Sequence, residues 1–377
     1  MKVIMAQSNL TLKGGAERVV LKIAQHYKAR IYTAEYNKET TFSEFSDMDV
    51  QVVGRGRMQR LMPYGRVAQG LSYGLGFYGL KLDDDYDVIN AHIAPSHWIR
   101  NRNERVLWYC HTPLRDVYDL YKYRLRMKKI YQKPVYVLGA AAVRSIDGRI
   151  AKRLEMIVAN SENVRSRIAK YLGRDDAKVL GGGVEYERYD DKGDGKYFLY
   201  PSRMSPNKRQ DYAIRAFELF KRRLKGYKLV LIGPVSKDGF YYDFYRKVLE
   251  MSKRVGDVDI VEDVSEGALR DYYARATAVL YTPIDEDYGL VPLEAMASYK
   301  PIISVNEGGP RTTVHDGETG FLVNSEDEMA NRMAEVAENP ALAERIGKTG
   351  RRYVEKEYSW DRFFREFDRY LTSVSRM

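Results

Sequence analysis

Two carboxylates, two cations, one histidine and a glycine pair are the residues of this chain whose types and spacing best suit chemistry. Glu286 and Glu294 enclose seven residues, Asp287-Tyr288-Gly289-Leu290-Val291-Pro292-Leu293. Pro292 suits the first position of a helix, which puts Glu294 in its first turn and leaves Glu286 in the loop before it. On a single helix, eight steps of 1.5 Å would hold the two carboxylates about 12 Å apart, too far for a hydrolytic pair. Paired acid/base hydrolysis is therefore disfavoured, and the two glutamates have different tasks. Taken singly, Glu294 also serves as a helix-start charge and Glu286 as a solvated loop residue.

Arg203 and Lys208 lie in Tyr200-Pro201-Ser202-Arg203-Met204-Ser205-Pro206-Asn207-Lys208. An arginine clasps two phosphate oxygens and a lysine adds a mobile point charge, so the pair suits a diphosphate; a solvated basic loop is the plainer alternative. Gly14-Gly15 opens a helical run, Ala16-Glu17-Arg18-Val19-Val20-Leu21. Backbone N–H groups there can approach a phosphate or a sugar, although the same glycines also make an ordinary helix-entry turn. His111 ends the run Trp108-Tyr109-Cys110-His111, where the adjacent Cys110 points to the opposite face and cannot form a catalytic pair with it. His92 and His97 are candidates for the same region, and no histidine pair has zinc-ligand spacing. The acidic run Asp83-Asp84-Asp85-Tyr86-Asp87 precedes a strand and is expected to be a solvated loop, not a metal site.

These residues sit between short apolar runs alternating with longer amphipathic ones, as in an α/β chain with parallel strands. Strands are expected at 2–7, 29–33, 50–53, 87–92, 106–111 and 156–159, then at 197–201, 228–232, 258–261, 278–282 and 301–305. At 377 residues the chain exceeds the roughly 250–300 that one core supports. Two Rossmann-like, doubly wound domains are expected, 1–183 and 184–358, facing an interdomain cleft, with 359–377 as a helix that packs back on the first domain or else on the second. Gly181-Gly182-Gly183 marks the hinge. One cysteine excludes a disulfide framework. The net charge of +10 is uneven: 31 basic and 18 acidic residues precede Leu180, against 31 and 34 from there on. The basic half suits an anionic membrane, nucleic acid or phosphorylated substrates.

The two-glutamate element, Gly14-Gly15 and Glu307-Gly308-Gly309 followed by Asp316-Gly317-Glu318-Thr319-Gly320 together resemble the retaining GT-B glycosyltransferases of family 4. The histidine loop resembles that of O-antigen-type mannosyltransferases. The resemblance spans nearly the whole chain and implies an acceptor-binding first domain and a nucleotide-sugar-binding second domain. It implies metal-independent transfer of a hexose, preferentially mannose from GDP-mannose or otherwise the sugar of a UDP-sugar, to a glycan or polyprenyl-linked acceptor with retention, and no cofactor. Catalytic roles fall to His111, Glu286, Arg203 and Lys208. His111 and Glu286 orient the sugar, and Arg203 and Lys208 stabilise the leaving diphosphate. Glu294 binds ribose hydroxyls, and Gly14, Gly15, Gly289 and Leu290 complete the donor contacts. The chain departs from the family pattern at Ser298-Tyr299-Lys300, where glycine is common, and at Pro310-Arg311-Thr312, where a glutamate is frequent.

Lys122, Arg124, Arg126, Lys128, Lys129 and Lys133 alternate with Tyr121, Tyr123, Leu125, Ile130 and Tyr131. This run can lie on an anionic bilayer, extended by Arg55, Arg57, Arg60 and Arg66, or form a helix in water. No nucleic-acid-binding motif is present. No stretch has the roughly 18–20 apolar residues of a spanning helix, so a cytoplasmic enzyme, peripheral on the inner face of the membrane, is expected. The alternatives are a non-catalytic basic α/β protein that binds nucleotides or membranes, and a nucleotide-sugar epimerase.

Overall fold

The computed structural model describes residues 1–53, 66–236, 239–262 and 264–377. It divides into two units, Met1–Gly182 with Phe364–Met377, and Gly183–Phe363.

The first unit runs β1 (Val3–Leu10), α1 (Gly15–Tyr27), β2 (Arg30–Tyr36), β3 (Val50–Val52), α2 (Arg66–Gly79), β4 (Val88–Ala91) and β5 (Val106–Cys110). It continues through α3 (Tyr121–Met127), α4 (Lys133–Ala151), β6 (Met156–Ala159), α5 (Glu162–Leu172) and β7 (Lys178–Val179). The sheet order is β3-β2-β1-β4-β5-β6-β7, parallel throughout. The order reverses between β1 and β4, and open α/β sheets place ligands beyond the carboxyl ends of the strands at such a reversal. Strands covered on both faces must be apolar along their length, which is why Val106-Leu107-Trp108-Tyr109-Cys110 is buried at every position. Cys110 joins Trp98 and Trp108 in the core on one face of this sheet. Asp147, fully buried in α4, is satisfied there by the Trp98 indole (2.7 Å) and the Tyr118 hydroxyl (3.0 Å).

The second unit runs β8 (Tyr197–Pro201), α6 (Gln210–Arg223), β9 (Lys228–Ile232), α7 (Gly239–Val255), β10 (Val258–Val261), α8 (Glu266–Arg275) and β11 (Ala278–Tyr281). Then follow α9 (Leu290–Ala297), β12 (Ile302–Val305), α10 (Pro310–Thr313), β13 (Gly320–Val323), α11 (Glu326–Glu338), α12 (Pro340–Glu357) and α13 (Trp360–Ser375). Its sheet order is β10-β9-β8-β11-β12-β13, again parallel, with the reversal between β8 and β11.

α13 begins in the second unit, and its residues from Phe364 onwards belong to the first. Phe364 stacks on His26 at 3.7 Å between ring centroids, and the Tyr27 hydroxyl donates to Asp368 at 2.8 Å. Phe367 meets the Tyr109 ring edge-on. These aromatic contacts account for two of the aromatic positions on this helix, Phe364 and Phe367.

Candidate active site

In the second unit, the strands flanking the reversal carry the residues singled out from sequence. β8 leads into the Arg203–Lys208 loop and β11 into the Glu286 loop. Lys208 Nζ and Glu286 Oε2 are 2.6 Å apart, with about a fifth of each side chain exposed (21 % and 23 %). The backbone beneath the pair is tightly fixed. Tyr200 donates its hydroxyl to the Lys208 carbonyl, and Thr282 Oγ1 lies 3.0 Å from that same oxygen. The Ile284 N–H donates to Asn207 O at 2.9 Å, tying the two loops together.

Arg209, which sequence reasoning passed over, has left-handed backbone (φ 53°) and turns its guanidinium back into the site. It donates to Thr282 O at 2.6 Å and to Glu307 Oε1 at 2.9 Å. Glu307 opens the glycine turn under Glu286, where the Gly309 N–H donates to Glu286 O at 2.7 Å. A Cβ on Gly308, at φ 59°, would lie 2.4 Å from Glu286 O and 2.5 Å from Glu286 N. Only glycine permits that approach. Arg203 is exposed. Its carbonyl accepts from Gln210 Nε2 at 2.9 Å, and no ion pair of its guanidinium occurs among the described residues.

The helix after Glu286 differs from expectation. α9 begins at Leu290 with Gly289 at φ 86° as its N-cap, so Pro292 is its third residue and Glu294 its fifth. The left-handed glycine starts the helix two residues before the proline. Glu294 is thus beyond the first turn, and its carboxylate accepts from the buried Tyr273 hydroxyl at 2.7 Å. Tyr281 is buried close to both glutamates; burial first, and then the charge of Glu286, hold its phenol well above the usual range. Tyr273 and Tyr281 carry no sequence signal as site residues, since both look like core aromatics.

In the first unit, Gly14 is the N-cap of α1 in extended conformation and accepts from the Arg18 N–H at 3.0 Å. A Cβ on Gly14 would lie 2.4 Å from Glu17 Oε2, so the carboxylate nearest this helix start is the chain's own buried Glu17. His111 follows β5 and is buried. Its Nε2 lies 3.2 Å from His92 Nδ1, and His92 Nε2 lies 2.7 Å from Asn90 Oδ1. Burial lowers the His111 pKa from 6.5 to about 3; burial, then the neighbouring His111, lowers that of His92. Both rings are therefore neutral at pH 7, and the chain of acceptors fixes their tautomers. An amide oxygen only accepts, so His92 Nε2 carries its hydrogen and Nδ1 is bare. His111 Nε2 must then donate, which leaves His111 Nδ1 as an acceptor.

Two family models divide the chain between them. The model for Glycosyltransferase Family 4 matches residues 13–188, and that for Glycosyl transferases group 1 matches residues 185–353. The chain belongs to the family 4 glycosyltransferases. Alpha-1,3/1,6-mannosyltransferase ALG2 from Homo sapiens is 28% identical over 96% of this glycosyltransferase and 93% of the relative. The GDP-mannose-dependent alpha-(1-6)-phosphatidylinositol monomannoside mannosyltransferase of Mycobacterium tuberculosis is 29% identical over 58% of this chain and 62% of its own. Anabaena Alr3699/HepE, solved with UDP and glucose, superposes with a TM-score of 0.74 at 17% identity, covering 99% of this chain and 100% of that one. Sucrose-phosphate synthase from Thermosynechococcus elongatus superposes at 0.77 and 17% identity, covering 99% of each chain. The fold of the glycosyltransferase is GT-B.

Each of the remaining histidines of the glycosyltransferase lies against an aromatic ring. His97 stacks on Trp108 at 3.8 Å, with Nε2 2.8 Å from Asp147 Oδ1 but off the hydrogen-bonding angle. His26 lies on Phe364 and His315 against Tyr353. Asp84 in the acidic run pairs with Arg30 at 2.8 Å and accepts from the Tyr32 hydroxyl. Among the described residues no group of three or more His, Cys, Asp or Glu is placed to hold a metal, and no helix is long and apolar enough to cross a membrane. Arg55, Arg57 and Arg60, and the side chain of Arg66, lie outside the described residues.

Proposed function

We propose that the enzyme transfers mannose from GDP-mannose to a hydroxyl of a lipid-linked or glycan acceptor, with retention of configuration. The observation that carries this reading is the match to an alpha-mannosyltransferase along nearly the whole of both chains. The GDP-mannose dependence named for the mycobacterial relative supports the choice of donor. The second unit holds the nucleotide sugar and the first the acceptor.

Lys208, held by Glu286, and Arg203 balance the charge that builds on the departing diphosphate. Glu286 and the bare Nδ1 of His111 accept hydrogen bonds from hydroxyls of the sugar and so orient it. Glu294, steadied by Tyr273, accepts from the ribose hydroxyls, and the backbone at Gly289 and Leu290 completes the donor site. Gly14 and Gly15 give the backbone close approach to donor or acceptor. The anomeric carbon–phosphate oxygen bond breaks with its electron pair leaving on GDP. The acceptor oxygen bonds to the anomeric carbon from the same face, and its proton passes to the departing phosphate oxygen. Peripheral attachment to an anionic membrane on its cytoplasmic side completes this reading.

Purified enzyme incubated with GDP-mannose, UDP-glucose and UDP-galactose, each with polyprenyl-linked and soluble glycan acceptors, provides the test. Acceptor-dependent GDP release and an α-linked mannosyl product by mass and NMR are expected. Turnover confined to a UDP-sugar rejects the donor, and an altered donor sugar in the absence of acceptor rejects transfer in favour of epimerisation.

A further inference from the structure

Between Leu120 and Ile146 the chain has seven Lys and Arg and no Asp or Glu. This run folds as α3, a single 3-10 turn at Ile130–Gln132, and α4. α3 buries none of its residues. Ile130 is 83% exposed, Leu138 70%, Tyr131 68% and Val135 65%, and Tyr123, Met127 and Val137 are exposed beside them. Seven of the twelve exposed large apolar side chains among the described residues thus fall within sixteen positions. Scattered single exposures are ordinary, whereas a concentration of this kind marks an interaction surface.

α4 shows how the surface ends. Its inner face, with Tyr136, Ala140, Val143, Asp147 and Ile150, is buried. Its outer face carries Val135, Leu138, Ala141 and Ala142, and then Ser145 and Arg149, all exposed. A helix with its whole outer side in water is polar along that side; this one is apolar only over its first ten residues. The tip is firmly mounted. Tyr121 stacks on Tyr136 at 5.6 Å, the Arg144 guanidinium lies 4.2 Å from the Tyr121 ring, and Arg124 pairs with Asp116 at 2.8 Å. Lys122, Arg126 and Lys129 are exposed around it.

We propose that Ile130, Tyr131, Val135 and Leu138 insert into the interfacial layer of an anionic bilayer while Lys122, Arg126 and Lys129 engage its phosphate head groups. This docking face rests on the peripheral attachment read above and is independent of the transfer chemistry. Apolar insertion and lipid charge act together, and neither alone gives stable binding. A second copy of the chain is a poor occupant, because a two-fold contact would set these cations against their own symmetry mates.

The full chain is sedimented with phosphatidylcholine vesicles and with vesicles containing phosphatidylglycerol, with neither donor nor acceptor present. Binding to the anionic vesicles only is expected. Ile130→Ser with Leu138→Ser, at unchanged charge, lowers the partition coefficient by at least roughly tenfold. Lys122→Gln, Arg126→Gln and Lys129→Gln together lower it by a similar factor and flatten its salt dependence. All five positions are solvent-facing, so unchanged circular dichroism and melting temperature confirm folding. The inference is overturned if the serine variant binds as the parent does, or if the parent binds neither vesicle. It is also overturned if the parent is a dimer that the serine pair dissociates without changing vesicle partition. Retained vesicle binding in an enzyme that fails to transfer mannose upholds the docking face and rejects only the proposed reaction.

Discussion

Lys208 and Glu286, 78 residues apart in sequence, form an ion pair of 2.6 Å at the carboxyl ends of neighbouring strands. Each therefore sets the position of the other, and a change at either acts on both.

Lys208→Met should lower kcat by roughly two to three orders of magnitude, the usual cost of removing one charge-stabilising donor. Because both side chains retain solvent contact, the loss of stability should be only about 1 kcal/mol. Glu286→Gln, which keeps an acceptor but removes the charge, should fall between Lys208→Met and the parent. Steady-state kinetics beside denaturant melts separate the two effects. A parallel loss of folding and turnover would show that the pair is structural.

The His92–His111 pair makes a pH prediction. The folded His111 pKa, about 3, lies below its unfolded value of 6.5. Below pH 6.5 the unfolded chain therefore takes up a proton that the folded chain refuses, and stability is lost as pH falls toward 3. The loss should approach about 1.4 kcal/mol per pH unit for each neutral buried histidine. Urea midpoints between pH 7.5 and 4.5 should fall less steeply for His111→Gln than for the parent; identical slopes would contradict the buried neutral ring. Nitrogen-15 spectra should find hydrogen on Nε2 of both rings at pH 7.

Gly308→Ala should displace the Glu286 loop, because its Cβ would meet Glu286 backbone atoms at 2.4 and 2.5 Å. Gly226 is the control: it also has positive φ, 85°, but a Cβ there meets nothing within 4 Å. Gly226→Ala should cost about 1 kcal/mol and leave turnover intact. Gly308→Ala should cost more and reduce transfer by about a hundredfold through misplacement of Glu286. Equal effects of the two on transfer would reject a positioning role for the turn.

The buried strands were legible because two-sided burial makes their apolar runs continuous, as in Val106-Leu107-Trp108-Tyr109-Cys110. β7, with only two residues, and β13, which starts at a glycine, offer no such run and were missed. β1 and β2 extend three residues past their expected ends, since hydrogen bonds to a neighbouring strand sustain Asn9 and Glu35 without apolar side chains. Local spacing brought Arg203, Lys208 and Glu286 into view. It did not reveal Arg209, whose role depends on a left-handed turn, or Asn90, which holds the sequence candidate His92 against His111 only because β4 and β5 lie side by side. Tyr273 reaches Glu294 from a separate helix, a contact no spacing rule contains.

Cys110, the chain's one thiol, is wholly enclosed on β5 immediately before His111. An alkylating reagent can reach it only while the surrounding sheet is open, so its labelling rate is a built-in clock for excursions of the first unit away from its native packing. The wild-type chain needs no engineered probe to time them.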